Sequence, residues 1–397
     1  MSKTNNSGRK FYLFFIIVVI GFFLWRTFLL LEERSARHLV ATSYPILLKH
    51  NRDDHYHDTE QILDQVYYMN ELNPFYCSYT VKSNFEDEEQ QSLYSSEKYS
   101  KDGYKTLAFG PCAGNDDRST LRVAVVCGQH GRELISPEFC YHLIKLIQTQ
   151  VRHKSFTERI ANLRSKGVSF WILPVVNEWA REEIESDRSK SCLRKNPAGV
   201  DLNRNFKCPD FIRASTKNPK SNPEYSGKKD FSEVETKITD AFLAISQPHL
   251  LFNVHSGSEK VLLPYDCCEA EIPEHYALMA RVASLSKKKV ASRYPEFNHV
   301  HPKRWQVGKS SLLLYSSHST LMDYAEAIYK IPLVYTLEIY ESLNARDDVS
   351  DLDMTPEQCR EWFNPKEGEE YTEVITVWID QFITMVEKTL QRIKTNE

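Results

Sequence analysis

Leu121-Arg-Val-Ala-Val-Val-Cys127-Gly-Gln-His130-Gly-Arg-Glu133 joins an apolar run to a His and a Glu three residues apart. The run reads as a buried strand. A chain that leaves such a strand with His130 and Glu133 close behind can bring both side chains to one metal ion. Two His and one Glu with one open position form a known catalytic zinc set. Short His-x-x-Glu strings also arise by chance, so the reading depends on what else the chain supplies.

A third ligand is available in His255. It follows a second strand-like run, Leu250–Val254, as His130 follows its own. Both then lie where ligands collect, at the C-terminal edge of an α/β sheet. Glu338, inside Tyr335-Thr-Leu-Glu-Ile339, is the candidate general base, because a carboxylate in an apolar strand is costly without a partner or a task. Between these segments, Cys192 to Phe206 holds Arg194, Asn203 and Arg204. A guanidinium fork matches a carboxylate in bidentate fashion, and another Arg can stabilise an oxyanion.

Strand-like runs at 75–81, 105–109, 121–127, 168–176, 250–254 and 334–339 alternate with helical patterns, which argues for an α/β layered domain. Ser136-Pro137-Glu138 is read as a helix start, with Ser136 as the cap and Pro137 in the first position. Glu373–Ile393 is an amphipathic closing helix, and 84–103 an exposed acidic loop. His55 and His57 are placed at the surface. Gly308-Lys309-Ser310 lacks the earlier glycine that a phosphate loop needs.

The 397 residues carry 50 Lys plus Arg against 54 Asp plus Glu, a net charge of −4. No strong field attracts nucleic acid. Residues 11–31, with Lys3, Arg9 and Lys10 before them, are fifteen apolar residues from Phe11 to Trp25, then Arg26 and a second apolar stretch. No Ala-x-Ala cleavage site follows, so a signal anchor is favoured over a cleaved signal peptide. That reading divides the chain into a cytosolic N-terminus (1–10), a transmembrane helix (11–31), a stalk (32–51) and a catalytic domain (52–397). It makes the protein a type II membrane protein with its catalytic domain in the secretory lumen or outside the cell, or a secreted protein if the segment is cleaved. Nine cysteines suit an oxidising compartment. Cys77 with Cys112 is a reasonable pair, Cys192 with Cys208 would close the Arg-bearing loop, and Cys127 and Cys140 read as buried thiols. Connectivity stays open.

Four segments in this order resemble the zinc metallocarboxypeptidases of the carboxypeptidase A/B group. They are His130-Gly-Arg-Glu133, Gly199-Val-Asp-Leu-Asn-Arg-Asn-Phe206, His255-Ser and Tyr335-Thr-Leu-Glu338. The resemblance covers roughly residues 52 to 395. It implies a single catalytic domain, a three-layer α/β/α sandwich around a mixed, mostly parallel twisted sheet, and one Zn²⁺ per chain on His130, Glu133 and His255. By the same resemblance Glu338 is general base and proton shuttle, Arg194 polarises the scissile carbonyl, and Asn203 and Arg204 hold the terminal carboxylate. Arg132 contacts substrate, and Tyr315 is the lid. The expected partners are peptide or protein C-termini, with a monomeric chain.

Relatives that remove Lys or Arg carry an Asp in the side-chain pocket by one of two routes. Leu321-Met322 fills one route without an acid. The other falls eleven residues past the third ligand, at Asp266 in Leu263-Pro-Tyr-Asp266. A buried carboxylate wants a cation, so basic C-terminal residues are favoured, with large apolar ones second. Two departures stand out. The short stalk predicts that no blocking pro-segment of the family's kind is present, and Asn177-Glu-Trp-Ala180 replaces the usual Asn-Pro-Asp-Gly turn beside the cleft. Other readings are an amidase on glutamyl or cell-wall peptides, which Arg204 and Asp266 argue against, and a pseudoenzyme, which the full set of ligands and base argues against.

Overall fold

Eight strands form one mixed sheet in the order β1-β2-β4-β3-β5-β8-β6-β7. They are β1 Tyr76–Ser83, β2 Tyr104–Pro111, β3 Leu121–Cys127, β4 Val168–Leu173, β5 Leu250–His255, β6 Glu259–Leu263, β7 Gln306–Lys309 and β8 Leu333–Ile339. The structure is a computed structural model. It describes residues 55–68, 74–94, 103–115, 119–148, 156–209, 219–300, 305–343 and 353–395. The main helices are α1 Thr59–Tyr67, α2 Ile135–Gln148, α3 Phe156–Ser165, α4 Glu178–Ser186, α5 Val234–Ser246, α6 Tyr276–Ala291, α7 Pro356–Phe363 and α8 Glu369–Thr395.

The centre of the sheet is the parallel block β4, β3, β5 and β8, and antiparallel pairings join β2 to β4 and β6 to β8. Strands of this kind are covered on both faces, which explains why β3 and β5 read as apolar runs without alternation. The side-chain period of two still divides them. Val123 and Val125 face a core shared with α2, α3, α6 and α8, whereas Ala124 and Val126 face a second core shared with α5 and residues 321–331. These are the three expected layers.

The Leu250 to Val254 register against β3 and the His255↔Glu338 pairing with β8 fix where the sheet delivers its polar residues. Parallel neighbours end together, so His130, His255 and Glu338 emerge at one edge.

Several expectations are corrected. Ser136 does not cap α2 from outside. It lies inside the helix, accepts from the Gly128 amide at 3.0 Å and donates to the Val254 carbonyl at 2.6 Å, tying the exit of β3 to β5. Cys127 is bonded to Cys140, so neither is a thiol, and Cys192 pairs with Cys359 rather than Cys208. Cys77–Cys112 forms as expected, the adjacent Cys267 and Cys268 are joined, and Cys208 is free. His57 is buried against Glu138, with its Nδ1 2.8 Å from Oε2, while His55 is exposed. The acidic loop contains a short helix, Glu88–Leu93. Residues 11–31 and 32–51 lie outside the described residues; among those described, no helix is long and apolar enough to cross a membrane.

Phe252 sits fully buried in β5, stacked on Tyr335 at 5.5 Å between ring centroids and edge-on to Phe382 at 4.9 Å. Phe252→Ala is expected to cost about 4 kcal/mol of stability, read from the shift of a urea unfolding midpoint.

Candidate active site

Three side chains converge where β3 and β5 end. His130 Nδ1 lies 2.6 Å from Glu133 Oε1, and His255 Nδ1 lies 2.9 Å from Glu133 Oε2 and 3.2 Å from His130 Nδ1. All three residues are buried, and their donor atoms fall within 4.8 Å of one another. Gly131 makes the loop between them possible. A Cβ there would lie 2.6 Å from Ala180 Cβ and 2.9 Å from the Leu193 carbonyl oxygen.

The outer nitrogens of both rings are engaged. His130 Nε2 lies 3.0 Å from Asp201 Oδ1, and His255 Nε2 lies 3.0 Å from Gln129 Oε1, which also accepts from Asn253 Nδ2 at 3.0 Å. Such partners fix the tautomer so that each Nδ1 lone pair faces inward. Two imidazoles and a carboxylate with their outer atoms satisfied are a donor set that fits zinc. Sequence reading missed both partners. Asp201 lay in plain view inside the Gly199–Phe206 motif, and Gln129 directly precedes the first ligand.

Asp201 is also the anchor of Arg194, which donates Nε to Asp201 Oδ2 at 2.9 Å and places Nη1 3.7 Å from Glu133. Burial opposes the charge of Asp201, but Arg194, then Arg204 and His130, hold its carboxyl well below the usual carboxylate range. Burial likewise pushes the Glu338 carboxyl up to about 7, with His255 pulling it down and Glu133 pushing it up.

The remaining expected residues line the same cleft. Arg132, Asn203, Arg204, Tyr315 and Asp266 all border it, together with Glu338 and the metal-binding triad. Arg132 stacks its guanidinium 4.0 Å above the Phe363 ring. Asn203 accepts from the Leu321 amide at 2.9 Å. Tyr315 is 55% exposed at the mouth, and its hydroxyl accepts from Arg204 Nη2 at 3.2 Å. Asp266 is buried and accepts hydrogen bonds from the side chains of Ser310 and Thr320. Leu321 and Met322 pack into the second core and are not among the residues bordering the cleft. One wall was not anticipated. The Cys192–Cys359 bond ties α7 to the Arg-bearing loop, and Trp362 and Phe363 of α7 reach the cleft over Gly257, whose carbonyl accepts from Trp362 Nε1 at 3.2 Å. Asn177-Glu-Trp-Ala180 opens α4, with the Asn177 side chain accepting from the Ala180 amide at 3.2 Å.

A mixed sheet that carries a His–Glu–His metal site at the edge of its parallel strands defines a single-metal α/β protein. Its sequence matches the family profile described as zinc carboxypeptidase over residues 88–354, more than half of the chain, and the chain belongs to that family. It is similar to carboxypeptidase O of Bos taurus, 27% identical over 227 residues, 54% of this chain and 56% of the relative. It is also similar to carboxypeptidase B2 of Mus musculus, 25% identical over 276 residues, 68% of this chain and 61% of the relative. The chain thus spans little more than half the length of these curated relatives. In structure it is similar to bovine thrombin-activatable fibrinolysis inhibitor in complex with a tick carboxypeptidase inhibitor. The TM-score is 0.61 at 20% identity, over 87% of this chain and 99% of that one, a likeness of fold.

Asp201→Asn is expected to weaken zinc binding about 10- to 100-fold, measured by competition with a chromogenic chelator, while the far-ultraviolet circular dichroism stays that of the folded protein.

Proposed function

We propose that the protein is a zinc-dependent exopeptidase that releases single residues from peptide C-termini, with Lys and Arg preferred. The observation that carries this reading is one cleft bordered by the metal-binding triad, the half-buried carboxylate of Glu338 and the guanidinium of Arg204.

Arg204 and Asn203 hold the terminal carboxylate, which places the last peptide bond near the triad. His130, Glu133 and His255 would hold a zinc ion, whose Lewis acidity would polarise a carbonyl and ease the ionisation of water. Arg194 holds the developing oxyanion, with its own charge fixed by Asp201. Glu338 takes the proton of the attacking water and passes it to the leaving amine as the C–N bond breaks and a C–O bond forms. Burial raises the Glu338 carboxyl above its ordinary value, which makes it a better proton acceptor than an exposed Glu. Arg132 contacts the substrate from the Phe363 side, and Tyr315 closes over the bound residue.

Asp266 supports the preference for basic residues. It is buried, accepts hydrogen bonds from the Ser310 and Thr320 hydroxyls, feels the charges of Arg204 and His255, and borders the cleft, where a substrate cation can pair with it. The signal-anchor reading of 11–31 places this activity on a membrane surface, and the mass of the mature N-terminus tests it.

Zinc-loaded protein should hydrolyse blocked dipeptides ending in Arg or Lys faster than those ending in Phe or Leu, and a chelator should stop all four. No hydrolysis of any of them refutes the enzyme reading; Phe or Leu ahead of Arg refutes the role of Asp266. Glu338→Gln should lower kcat by at least about 1,000-fold with zinc still bound. Asp266→Asn should lower kcat/KM for the Arg substrate about 30-fold and leave the Phe substrate within about threefold. The sign of the pH effect follows from burial, which raises the Asp266 carboxyl above its ordinary value. Acidification neutralises that group earlier than an exposed Asp, so the Arg-to-Phe ratio of kcat/KM should fall as pH drops. A ratio that stays flat or rises contradicts it.

A further inference from the structure

Arg204 already holds a carboxylate of its own chain. Its Nη2 group donates to Glu224 Oε1 and, at 3.2 Å, to the Tyr315 hydroxyl, and Nη1 donates to the Asn203 carbonyl at 2.9 Å. An Nη2 group has two hydrogens, and both are engaged. A guanidinium grips a carboxylate bidentately across Nη1 and Nη2 or across Nε and Nη2, and each of these edges uses an Nη2 hydrogen. Neither edge is therefore complete while Glu224 and Tyr315 keep their present partners. Meanwhile Arg204 Nε is buried without a hydrogen-bond partner among the described residues. Withdrawal of Glu224 frees an Nη2 hydrogen for an incoming carboxylate, and Nε is already unengaged.

Glu224 is placed for such a movement. Its side chain is about one-third exposed, whereas that of Arg204 is only 8% exposed, so the acid has solvent to move into and the base does not. The turn that carries Glu224 is fixed. The Glu224 amide donates to Asn222 Oδ1 at 2.7 Å, the Asn222 amide to the Pro219 carbonyl at 2.8 Å, and the neighbouring Tyr225 carbonyl accepts from the Asp201 amide at 2.9 Å. The backbone thus keeps the carboxylate at the mouth of the cleft while leaving the side chain free to turn outward.

Building on the exopeptidase reading, we infer that Glu224 is a built-in competitor, a resident carboxylate that the substrate's C-terminal carboxylate must displace from Arg204. A carboxylate alone exchanges one anion for another at Arg204 and gains little. A C-terminal residue that also brings a cation to Asp266 gains a second charge pair and binds. Glu224 therefore sets the affinity of the clamp: it raises KM for every substrate by a similar amount and leaves the ratio between substrates to the side-chain pocket.

The test is steady-state kinetics of zinc-loaded wild type and Glu224→Gln on blocked dipeptides ending in Arg and in Phe, with calorimetric binding of free arginine and of agmatine, which is arginine without its carboxylate. Glu224→Gln should lower KM about fivefold for both dipeptides with kcat within twofold. It should tighten arginine by a similar factor and leave agmatine unchanged or weaker. KM unchanged or raised in the variant overturns the inference and leaves Glu224 as a support that merely holds Arg204 in place. If wild type hydrolyses neither dipeptide, the exopeptidase reading fails on its own, and the Glu224 inference is then decided by arginine binding: no tightening in Glu224→Gln, including no binding to either protein, overturns it.

Discussion

The two contacts that Asp201 makes with His130 and Arg194 hold this site together. One buried carboxylate fixes the ring of the first metal ligand through Oδ1 and the guanidinium of Arg194 through Oδ2. Its backbone amide binds the Tyr225 carbonyl, and its side chain also accepts the Asn203 amide at 3.0 Å. The metal site, Arg194, the Asn203–Arg204 segment and the turn bearing Glu224 are thus referred to a single residue. A buried anion with two cationic partners and a ring N–H is stable only when all of them are in place, so the arrangement is set cooperatively rather than group by group.

The sheet supplies the geometry that Asp201 refines. Three parallel neighbours, β3, β5 and β8, end at one edge, and their registers set His255 beside Glu338 before any side-chain contact is considered. Ser136 then locks the exit of β3 to β5 through its hydroxyl, and Gly131 lets the ligand loop pass close to α4 and the Arg194 segment. His255 and Glu338 lie on strands of the sheet, whereas His130, Arg132 and Glu133 lie on the short connection between β3 and α2 that Gly131 and Ser136 hold in place.

Much of this was legible from the chain. His130, Glu133, His255 and Glu338 each follow or lie within an apolar run, so local pattern alone put them at a sheet edge. Short edge strands were harder. β6 opens on Glu259 and Lys260, β7 contains Gly308, and each is held by pairing with a distant partner rather than by its own composition. The helix α6 carries Met279, Val282, Ala283 and Val290 at helical spacing among Lys and Ser residues, a signal diluted by its polar face. Contacts across long separations were beyond reach. Cys192 meets Cys359 across 167 residues, and Asp201 meets His130 across 71. Ser136 misled for a local reason: its residue type and the following Pro suit a cap, yet its hydroxyl serves the neighbouring strands from inside the helix.

The account depends above all on a free terminal carboxylate being read at Arg204 while the adjacent bond is cut at the triad. Mass spectrometry of one peptide in two forms, ending in Ala-Arg with a free acid or with an amide, measures this directly with zinc-loaded protein. The account predicts loss of a single Arg from the free acid alone, stopped by a chelator and restored by zinc. Equal cleavage of the amide, internal cleavage, or no loss from the free acid would contradict it.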